Sequence, residues 1–246
     1  FKLGNSAGVL LPIEWKDKKV AIKLIDKSIS QEILEILEER NLLKNIIGIF
    51  LAGSYAREEE TELSDIDVLI VTDNIDKQLK IGKYELMFIS KDKFEKSILK
   101  SIYLASLINE AKVILNNDLL RVYTNEISGI LIKKQLDDIK SVTKINEMAV
   151  EIDEELGEKI PDETLYSIVL RLRELYLIDC LKNKKILYNK EFVNLIKRIA
   201  TEESYNAYLR IKNDLKPKKV ISVKEAKALI EEVKKRVRDL KHGKKK

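Results

Sequence analysis

Two short apolar segments with polar residues at their ends constrain the fold of this chain most strongly. The first, 46–52, ends at Gly53-Ser54, and the second, 65–71, opens with Asp65-Ile66-Asp67. Each has the length and composition of a buried strand, and a third segment of the same kind follows at 84–89. The chain is therefore expected to contain a small sheet whose strands carry polar side chains at their ends.

Asp65 and Asp67 are candidate metal ligands. Residues two apart on a strand point to the same face, so the two carboxylates should project together. Like charges side by side at the edge of an apolar strand are costly unless a cation neutralises them, because each raises the pKa of the other. Oxygen-only ligands suit Mg²⁺, which takes one or two protein carboxylates together with substrate phosphates. The alternative interpretation is the solvated start of a strand.

Gly53, Ser54 and Glu85 are candidate partners of these aspartates. Gly53-Ser54 would supply backbone N–H groups and a hydroxyl at the start of a helical turn, a place that favours phosphate. Glu85 stands alone among the apolar residues of 84–89, where a carboxylate has no obvious structural purpose. It could complete a site that activates an attacking hydroxyl. The alternative for Glu85 is an edge-strand carboxylate that faces water.

Composition excludes several other classes of protein. The chain has 246 residues, 45% of them hydrophobic and 35% charged, so it can bury a real core and is not disordered as a whole. No stretch approaches the ~18 consecutive apolar residues of a membrane span. The single Cys180 and the single His242 leave no cluster for a disulfide framework or a structural zinc. Since the chain starts at Phe1 without a signal segment, we expect a soluble, cytoplasmic protein.

Positive charge is concentrated at the C-terminal end. The whole chain has a net charge of +5, and residues 218–246 alone contain 12 Lys and Arg against 4 Asp and Glu. Residues 1–217 are therefore slightly acidic. Clustered lysines release counterions when they neutralise phosphates, so the basic end is compatible with nucleic-acid binding. A solvated, lysine-rich terminal helix is the alternative.

Patterning divides the chain into three expected domains, 1–29, 30–118 and 119–246. The first has strand patterns at 9–11 and 20–25, which predict a β-hairpin. Fewer than thirty residues cannot form a stable core alone, so this segment should pack on another surface or dimerise.

The second expected domain combines helices with the small sheet. Ser28 and Gln31 form a capping box, which predicts a helix start just before the sheet. Helical patterning resumes at 92 and continues to about 116.

The third expected domain reads as a helical bundle. Apolar residues recur at helical spacing in 127–149 and 165–181, with a boundary at 157–161. A second capping box, formed by Ser222 and Glu225, predicts the last helix.

Together, Gly53-Ser54, Arg57 and Ser64-Asp65-Ile66-Asp67 closely resemble the signature of the polymerase-β-like nucleotidyltransferase superfamily, in particular its minimal archaeal and bacterial members. Those proteins have Gly-Ser-x-Ala-Arg-Gly followed by Ser-Asp-Ile-Asp, and the distance from Gly53 to Asp65 fits that arrangement. The resemblance implies an α+β fold with a short mixed sheet and helices, flanked here by the N-terminal hairpin and the helical bundle.

The resemblance also implies a reaction and its site. Two Mg²⁺ ions would be held by Asp65 and Asp67, and a nucleoside triphosphate, by default ATP, would be bound by Gly53-Ser54 and Arg57. With Glu85 as the third catalytic carboxylate, the enzyme would transfer a nucleoside monophosphate to an acceptor hydroxyl and release pyrophosphate. A protein hydroxyl, an RNA end and a small molecule all fit as acceptor, because the signature describes only the triphosphate end of the reaction.

One departure from the family pattern lies next to this site. Where the family usually has Gly after the Arg, the chain has Glu58, and 58–60 are all glutamates. This acidic loop would oppose a triphosphate. Arg57 could pair with the neighbouring glutamates as easily as with phosphate.

The N-terminal segment resembles a second family. Residues 2–12, with Leu3-Gly4-Asn5-Ser6 before a short strand and Pro12, followed by Glu14-Trp15 and 20–24, are similar to the swapped-hairpin fold of the AbrB/SpoVT family. This resemblance implies a homodimer that binds DNA through basic residues. The alternative function is therefore a DNA-binding regulator whose nucleotidyltransferase domain senses nucleotides or is inactive.

The helical region is similar to the HEPN-type domains that accompany minimal nucleotidyltransferases. Nuclease members of that type use an Arg followed closely by His, and this chain has only His242, so no RNA cleavage by that mechanism is expected. Arg171, Arg173 and Arg210 are candidate phosphate contacts. Their alternative is surface pairing with acidic neighbours such as Glu174 and Asp214.

Overall fold

The structure, a computed structural model, describes residues 2–3, 6–7, 10–21, 27–62, 64–127 and 130–242. The chain divides into two compact units, Phe1–Leu43 and Lys44–Lys246. The strands described are β1 (Lys2–Leu3), β2 (Ser6–Ala7), β3 (Ile46–Leu51), β4 (Ile66–Thr72), β5 (Lys77–Ile81), β6 (Tyr84–Ser90), β7 (Lys112–Leu115), β8 (Ile160–Pro161) and β9 (Lys219–Ile221). The α-helices described are α1 (Ile29–Glu39), α2 (Gly53–Arg57), α3 (Lys91–Ile98), α4 (Ile102–Glu110), α5 (Asn117–Glu126), α6 (Lys133–Glu155), α7 (Asp162–Lys182), α8 (Asn189–Ile199), α9 (Glu202–Lys212) and α10 (Val223–His242).

The N-terminal unit contains a very short hairpin, in which β1 pairs antiparallel with β2. The prediction of strands at 9–11 and 20–25 is wrong for the residues described, because Leu10-Leu11 and Val20-Ala21 lie outside any strand. The rest of both segments falls outside the described residues. Pro12 explains the first error. It has no N–H for a strand ladder, and its carbonyl accepts a hydrogen bond from Trp15 N–H in a short 3₁₀ turn.

Helix α1 begins where the first capping box predicts. The N–H of Gln31 donates to Ser28 Oγ at 3.3 Å, and the N–H of Ser28 donates to Gln31 Oε1 at 2.9 Å, so both capping bonds are present. The helix is amphipathic, with Ile33 and Leu37 fully buried.

The second unit contains a five-stranded sheet with the strand order β5-β6-β4-β3-β7. Strands β4 and β6 are parallel, and the other neighbours are antiparallel. The predicted α+β class with a short mixed sheet is therefore confirmed. In the parallel pair Asp67 lies directly opposite Glu85, which brings two of the candidate carboxylates together.

Two edge strands were not predicted. The helix expected over 92–116 ends earlier, because α3 and α4 are followed by β7, which pairs with β3 at one edge of the sheet. Strand β5 forms the other edge. Both carry charged side chains, as edge strands do, and only their pairing partners stabilise them as strands.

The helical bundle follows the sequence pattern more closely. Helix α7 confirms the prediction over 165–181, whereas the pattern at 127–149 is displaced, with α6 at Lys133–Glu155. The capping box that starts α10 is confirmed, because Ser222 N–H donates to Glu225 Oε2 at 3.0 Å. Among the described residues, no helix is long and apolar enough to cross a membrane.

The core of the second unit is continuous across the sheet and the bundle. One cluster of buried apolar side chains extends from Phe50 and Leu69 on the sheet to Leu175 and Ile230 on the helices. Its continuity holds the two parts in fixed relative positions, so a cleft between them is a defined feature of the fold. The domain boundaries expected from the sequence, at 29/30 and 118/119, stay predictions.

Candidate active site

Gly53 marks the turn from β3 into α2. Its φ is +67°, and a Cβ built there would lie 1.9 Å from Oδ2 of Asp67. Only glycine fits this position, because it tolerates the left-handed backbone and leaves room for the aspartate. The Gly53 N–H donates to Glu110 Oε1 at 3.0 Å.

Three carboxylates line the cleft beside Gly53. Asp67 on β4 faces Glu85 on β6, and Asp65 immediately precedes β4, so the predicted strand start is displaced by one residue to Ile66. Burial raises the pKa of Asp67, and the negative charges of Glu85 and Asp65 raise it further. This carboxylate is held in the fold at a cost in free energy.

Lys80 partly neutralises the group. It lies opposite Glu85 on the edge strand β5, and its Nζ is 2.7 Å from Glu85 Oε1 and 3.1 Å from Asp65 Oδ2. Its side chain is more than half exposed, as edge-strand lysines commonly are. Lys80 therefore bridges two of the three carboxylates from the solvent side.

All six residues predicted for the site line one cleft of about 840 Å³ between the sheet and the helical bundle. The cleft lining comprises Gly53, Ser54, Arg57, Glu59, Thr61, Ser64, Asp65, Asp67, Glu85, Tyr103, Ser106, Leu107, Glu110, Leu170, Arg173, Glu174, Leu177, Leu187, Asn189, Tyr208 and Lys212. The sheet side is rich in carboxylates, and the bundle side adds cations.

Arg57 pairs with two glutamates. Its Nη1 lies 2.8 Å from Glu110 Oε2, and its Nε lies 3.0 Å from Glu59 Oε2. Burial raises the pKa of Glu110, against the opposing effect of Arg57. Sequence reasoning missed Glu110, although a glutamate that closes the apolar helix α4 is the same kind of signal that singled out Glu85.

The acidic loop has a local structural explanation. Glu58 occupies the left-handed conformation, with φ 58° and ψ 38°, which is why glycine suits this position in the family pattern. Its carboxylate pairs with Lys112 at 2.6 Å. Glu59 accepts hydrogen bonds from the N–H groups of Asn189 and Lys190 at the start of α8. Of these three glutamates, only Glu59 lines the cleft.

The bundle side of the cleft carries Arg173 and Lys212. Arg173 Nη1 donates to Asn189 Oδ1 at 3.1 Å, and its guanidinium lies over the ring of Phe192. Burial lowers the pKa of Lys212, and the positive charges of Arg173 and Arg57 lower it further. Two cations that face carboxylates across a cleft favour a polyanionic ligand between them.

The other two predicted arginines have structural partners. Arg171 pairs with Glu174 at 3.1 Å, the partner that the alternative interpretation named, but Glu174 is buried and not at the surface. Arg210 pairs with Asp162 and Glu203, so the expected pairing with Asp214 is wrong.

Lys212 was not predicted, because nothing in the local pattern distinguishes it from the other lysines of the bundle.

The donor set of Asp65, Asp67 and Glu85 suits a hard cation. Carboxylate oxygens are the ligands that Mg²⁺ prefers, and burial together with the negative charges of Glu85 and Asp65 raises the pKa of Asp67, an effect that a bound cation would oppose. Within the described ranges, no three His, Cys, Asp or Glu side chains are close enough as they stand to hold one ion. The chemistry of the site fits the metal, and Lys80 takes part of the neutralising role.

A sequence profile described as a nucleotidyltransferase domain matches residues 30–235. The chain therefore belongs to the nucleotidyltransferase domain family, as the residues around Gly53 and Asp65 predicted. The match extends through the helical bundle as well as the sheet.

Two solved structures are similar to this chain. A nucleotidyltransferase-like protein from Exiguobacterium sibiricum 255-15 is 10% identical, with a TM-score of 0.39 over 86% of this chain and 75% of its own. Spectinomycin adenyltransferase AAD(9) from Enterococcus faecialis, solved with ATP and spectinomycin, is 14% identical, with a TM-score of 0.42 over 85% of this chain and 98% of its own. At these values neither structure bears on the substrates of this chain. No curated protein sequence matches it.

Proposed function

We propose that this chain is a metal-dependent nucleotidyltransferase. It would transfer a nucleoside monophosphate from a nucleoside triphosphate, with ATP as the default, to an acceptor hydroxyl and release pyrophosphate. The observation that carries the proposal is the meeting of Asp65, Asp67 and Glu85 with Gly53-Ser54 in one cleft.

Asp65 and Asp67 are the proposed ligands of two Mg²⁺ ions. Bound Mg²⁺ would neutralise the carboxylates and polarise the phosphoryl oxygens of the nucleotide. The raised pKa of Asp67 supports this role, because a purely structural carboxylate would be paired within the fold.

Gly53, Ser54, Arg173 and Lys212 are the proposed triphosphate-binding residues. The Ser54 hydroxyl lines the cleft at the start of α2, where the Gly53 N–H is held by Glu110, and Arg173 and Lys212 offer positive charge from the other side of the cleft. The cations would stabilise the negative charge that accumulates on the departing pyrophosphate. Arg57 is already paired with Glu59 and Glu110, which favours a supporting role for it.

Glu85 is the proposed general base. In the transfer, the acceptor oxygen forms a bond to the α-phosphorus, and the bond from that phosphorus to the bridging oxygen of pyrophosphate breaks. The proton of the acceptor hydroxyl passes to the Glu85 carboxylate. Lys80 must leave Glu85 for this step, which its exposed position on an edge strand allows.

Incubation with ATP labelled on the α-phosphate, with and without Mg²⁺, tests the proposal. The chain itself, total RNA and a set of hydroxylated small molecules serve as acceptors, and pyrophosphate release is measured in parallel. Asp65→Asn/Asp67→Asn is expected to lower transfer by about 10³-fold or more, since it removes several kcal/mol of charge stabilisation.

Asp73→Asn is the matched control, because Asp73 is an exposed aspartate just beyond the opposite end of β4. It should leave transfer within about twofold of the wild type. Equal labelling by the double variant and the wild type would contradict the assigned site.

Two finer expectations belong with this proposal. Homodimerisation and DNA contact through the N-terminal hairpin stay predictions from its resemblance to the AbrB/SpoVT family, as does the kinship of the bundle with HEPN-type domains. Salt-dependent binding of DNA by the full chain is the measurement that tests the hairpin, since phosphate contacts release counterions.

A further inference from the structure

Helix α6 presents an exposed apolar stripe to solvent. Ile145, Met148, Ile152 and Leu156 follow one another at spacings of three and four residues, so they lie on one helix face. Their exposed fractions are 64%, 55%, 57% and 67%. The opposite face of α6 is buried, with Leu136, Ile139 and Val150 in the core. Four adjacent large apolar side chains on one exposed face are typical of an interaction surface.

The charges along α6 are segregated by sign. Its N-terminal half, 133–144, carries four lysines against two aspartates, and its C-terminal half, 145–155, carries five acidic residues and no basic one. The charged side chains on one flank of the stripe are Lys144, Glu151 and Glu155, which are exposed and lie seven and four residues apart. Within the part of the chain that the structure describes, none of these three forms an ion pair.

This pattern is complementary to itself only in one orientation. When two copies of α6 pair antiparallel about a two-fold axis, the same flank of each helix meets the same flank of the other, so the basic half faces the acidic half. With the axis near Met148, Lys144 of one copy lies beside Glu151 and Glu155 of the other. Parallel pairing would instead set like charges against each other.

We propose that α6 forms a homodimer interface, in which the stripe Ile145, Met148, Ile152 and Leu156 packs antiparallel against the stripe of a second copy. Lys144 then forms ion pairs across the interface. A helix of 23 residues is about 35 Å long, which is enough for a continuous seam of side chains. The surface lies in the second unit and does not depend on the N-terminal hairpin or on the nucleotidyl-transfer proposal.

Sedimentation velocity of the full chain measures the dimer and its Kd. Ile152→Arg is expected to raise Kd by about 100-fold or more, since a charge is forced into the seam twice per dimer. Val122→Arg is the matched control, because Val122 is 51% exposed on α5, away from the stripe. Circular dichroism checks that both variants fold. A monomeric wild type would overturn the proposal. A dimer whose Kd is unchanged by Ile152→Arg would also overturn it, and is the result expected if the chain dimerises through the hairpin.

A charge swap tests the orientation. Lys144→Glu sets like charges against Glu151 and Glu155 of the other copy and should raise Kd by about tenfold or more. Lys144→Glu/Glu151→Lys restores an opposite-sign pair and should return Kd to within about threefold of the wild type. If the swap binds no better than the single variant, the antiparallel register is wrong.

Disulfide trapping locates the axis. Met148→Cys lies next to its symmetry mate and should form a disulfide-linked dimer under mild oxidation, because bonding requires Cα atoms within about 7 Å. Leu156→Cys is the control on the same stripe, with its symmetry mate roughly 24 Å away along the helix. The native Cys180 is buried in both. Equal trapping at the two positions would contradict the proposed register.

Discussion

Asp67, which is half-buried at the cleft, and Asp162, which lies in the interior, have opposite surroundings. Asp162, at the start of α7, is fully buried and accepts hydrogen bonds from Arg210 Nε at 2.6 Å, Arg210 Nη2 at 2.9 Å and Lys218 N–H at 2.8 Å. These bonds outweigh its burial and hold its pKa below the usual range. Asp67 instead faces Glu85 and Asp65, and its pKa is raised.

The contrast distinguishes a structural carboxylate from one available to a ligand. The negative charge of Asp162 is balanced inside the protein by Arg210 and by the Lys218 N–H, so it needs no further partner. The charges of Arg57 and Lys212 offset only part of the effect of burial and of the neighbouring carboxylates on Asp67, because its pKa stays raised. Four substitutions test this distinction.

The largest expected effect is on the stability of the Asp162–Arg210 pair. Arg210→Met leaves the carboxylate of Asp162 buried and unpaired, which should cost about 3–5 kcal/mol of unfolding free energy. For a chain of this length the melting temperature should fall by roughly 6–20 °C, measured by scanning calorimetry.

Arg121→Met is the control for that loss, because Arg121 and Asp118 form a highly exposed pair at 4.0 Å. It should change the unfolding free energy by no more than about 0.5 kcal/mol. Equal losses in the two variants would mean that burial of the Asp162–Arg210 pair has no energetic consequence.

The next effect concerns the space beside Asp67. Gly53→Ala adds a Cβ that collides with Asp67 and also strains a backbone at φ +67°. Gly82→Ala is the matched control, since Gly82 has φ +55° but nothing within 4 Å of the added Cβ. The control should lose about 1–2 kcal/mol from strain alone, and Gly53→Ala about 1–3 kcal/mol more.

A double-mutant cycle with Asp67→Ala identifies the source of that difference. Removing the carboxylate should recover most of the additional loss in Gly53→Ala, as measured by chemical denaturation. If the two substitutions are additive, the contact between Gly53 and Asp67 is not what requires glycine.

A smaller effect, of opposite sign, is expected at Asp67 itself. Asp67→Asn removes a charge that Arg57 and Lys212 offset only in part, and it should stabilise the apo protein by about 1 kcal/mol, or roughly 2–4 °C. Adding Mg²⁺ should raise the melting temperature of the wild type and leave that of the variant nearly unchanged. A less stable Asp67→Asn would contradict the proposed repulsion.

The pH dependence of that difference follows from linkage. Folding raises the pKa of Asp67, so between its unfolded and folded pKa values the folded chain binds more protons than the unfolded chain. The contribution of Asp67 to the free energy of unfolding therefore falls as pH rises through that window, which begins at about pH 4. Asp162 has the opposite sign, since its contribution is present above about pH 4 and is lost as pH falls through its lowered pKa. The advantage of Asp67→Asn should therefore grow as pH rises above about 4, which a series of melting curves measures.

The smallest effect concerns the loop next to the site. Glu58→Gly removes a side chain from a left-handed conformation and should raise the melting temperature by about 1–3 °C, although the exposed pair with Lys112 is lost. Glu60→Gly is the control, because the backbone of Glu60 is not left-handed. This substitution should lower the melting temperature slightly, since glycine adds entropy to the unfolded chain. A destabilised Glu58→Gly would show that the ion pair with Lys112 outweighs the strain.

The sequence predicted the sheet side of the cleft because its signals are local. Asp65, Asp67 and Glu85 are carboxylates set into apolar strands, and Gly53-Ser54 directly follows one. The cations on the bundle side of the cleft were not predicted, because they are far from the carboxylates in the sequence. Lys212 comes 145 residues after Asp67, and no local pattern connects them. Strand β7 was misread as helix because its conformation depends on pairing with β3.

The sequence by itself determined the family, the strands that hold the carboxylates and the position of the turn at Gly53. These depend on residue types and spacings of a few residues, which set side-chain direction and turn geometry within one element. Only the tertiary structure decided which buried or half-buried carboxylates gain a cationic partner. Asp65 lies beside Asp67 through local spacing and Glu85 through pairing of neighbouring strands, whereas only the packing of α9 against α7 brings Arg210 to Asp162.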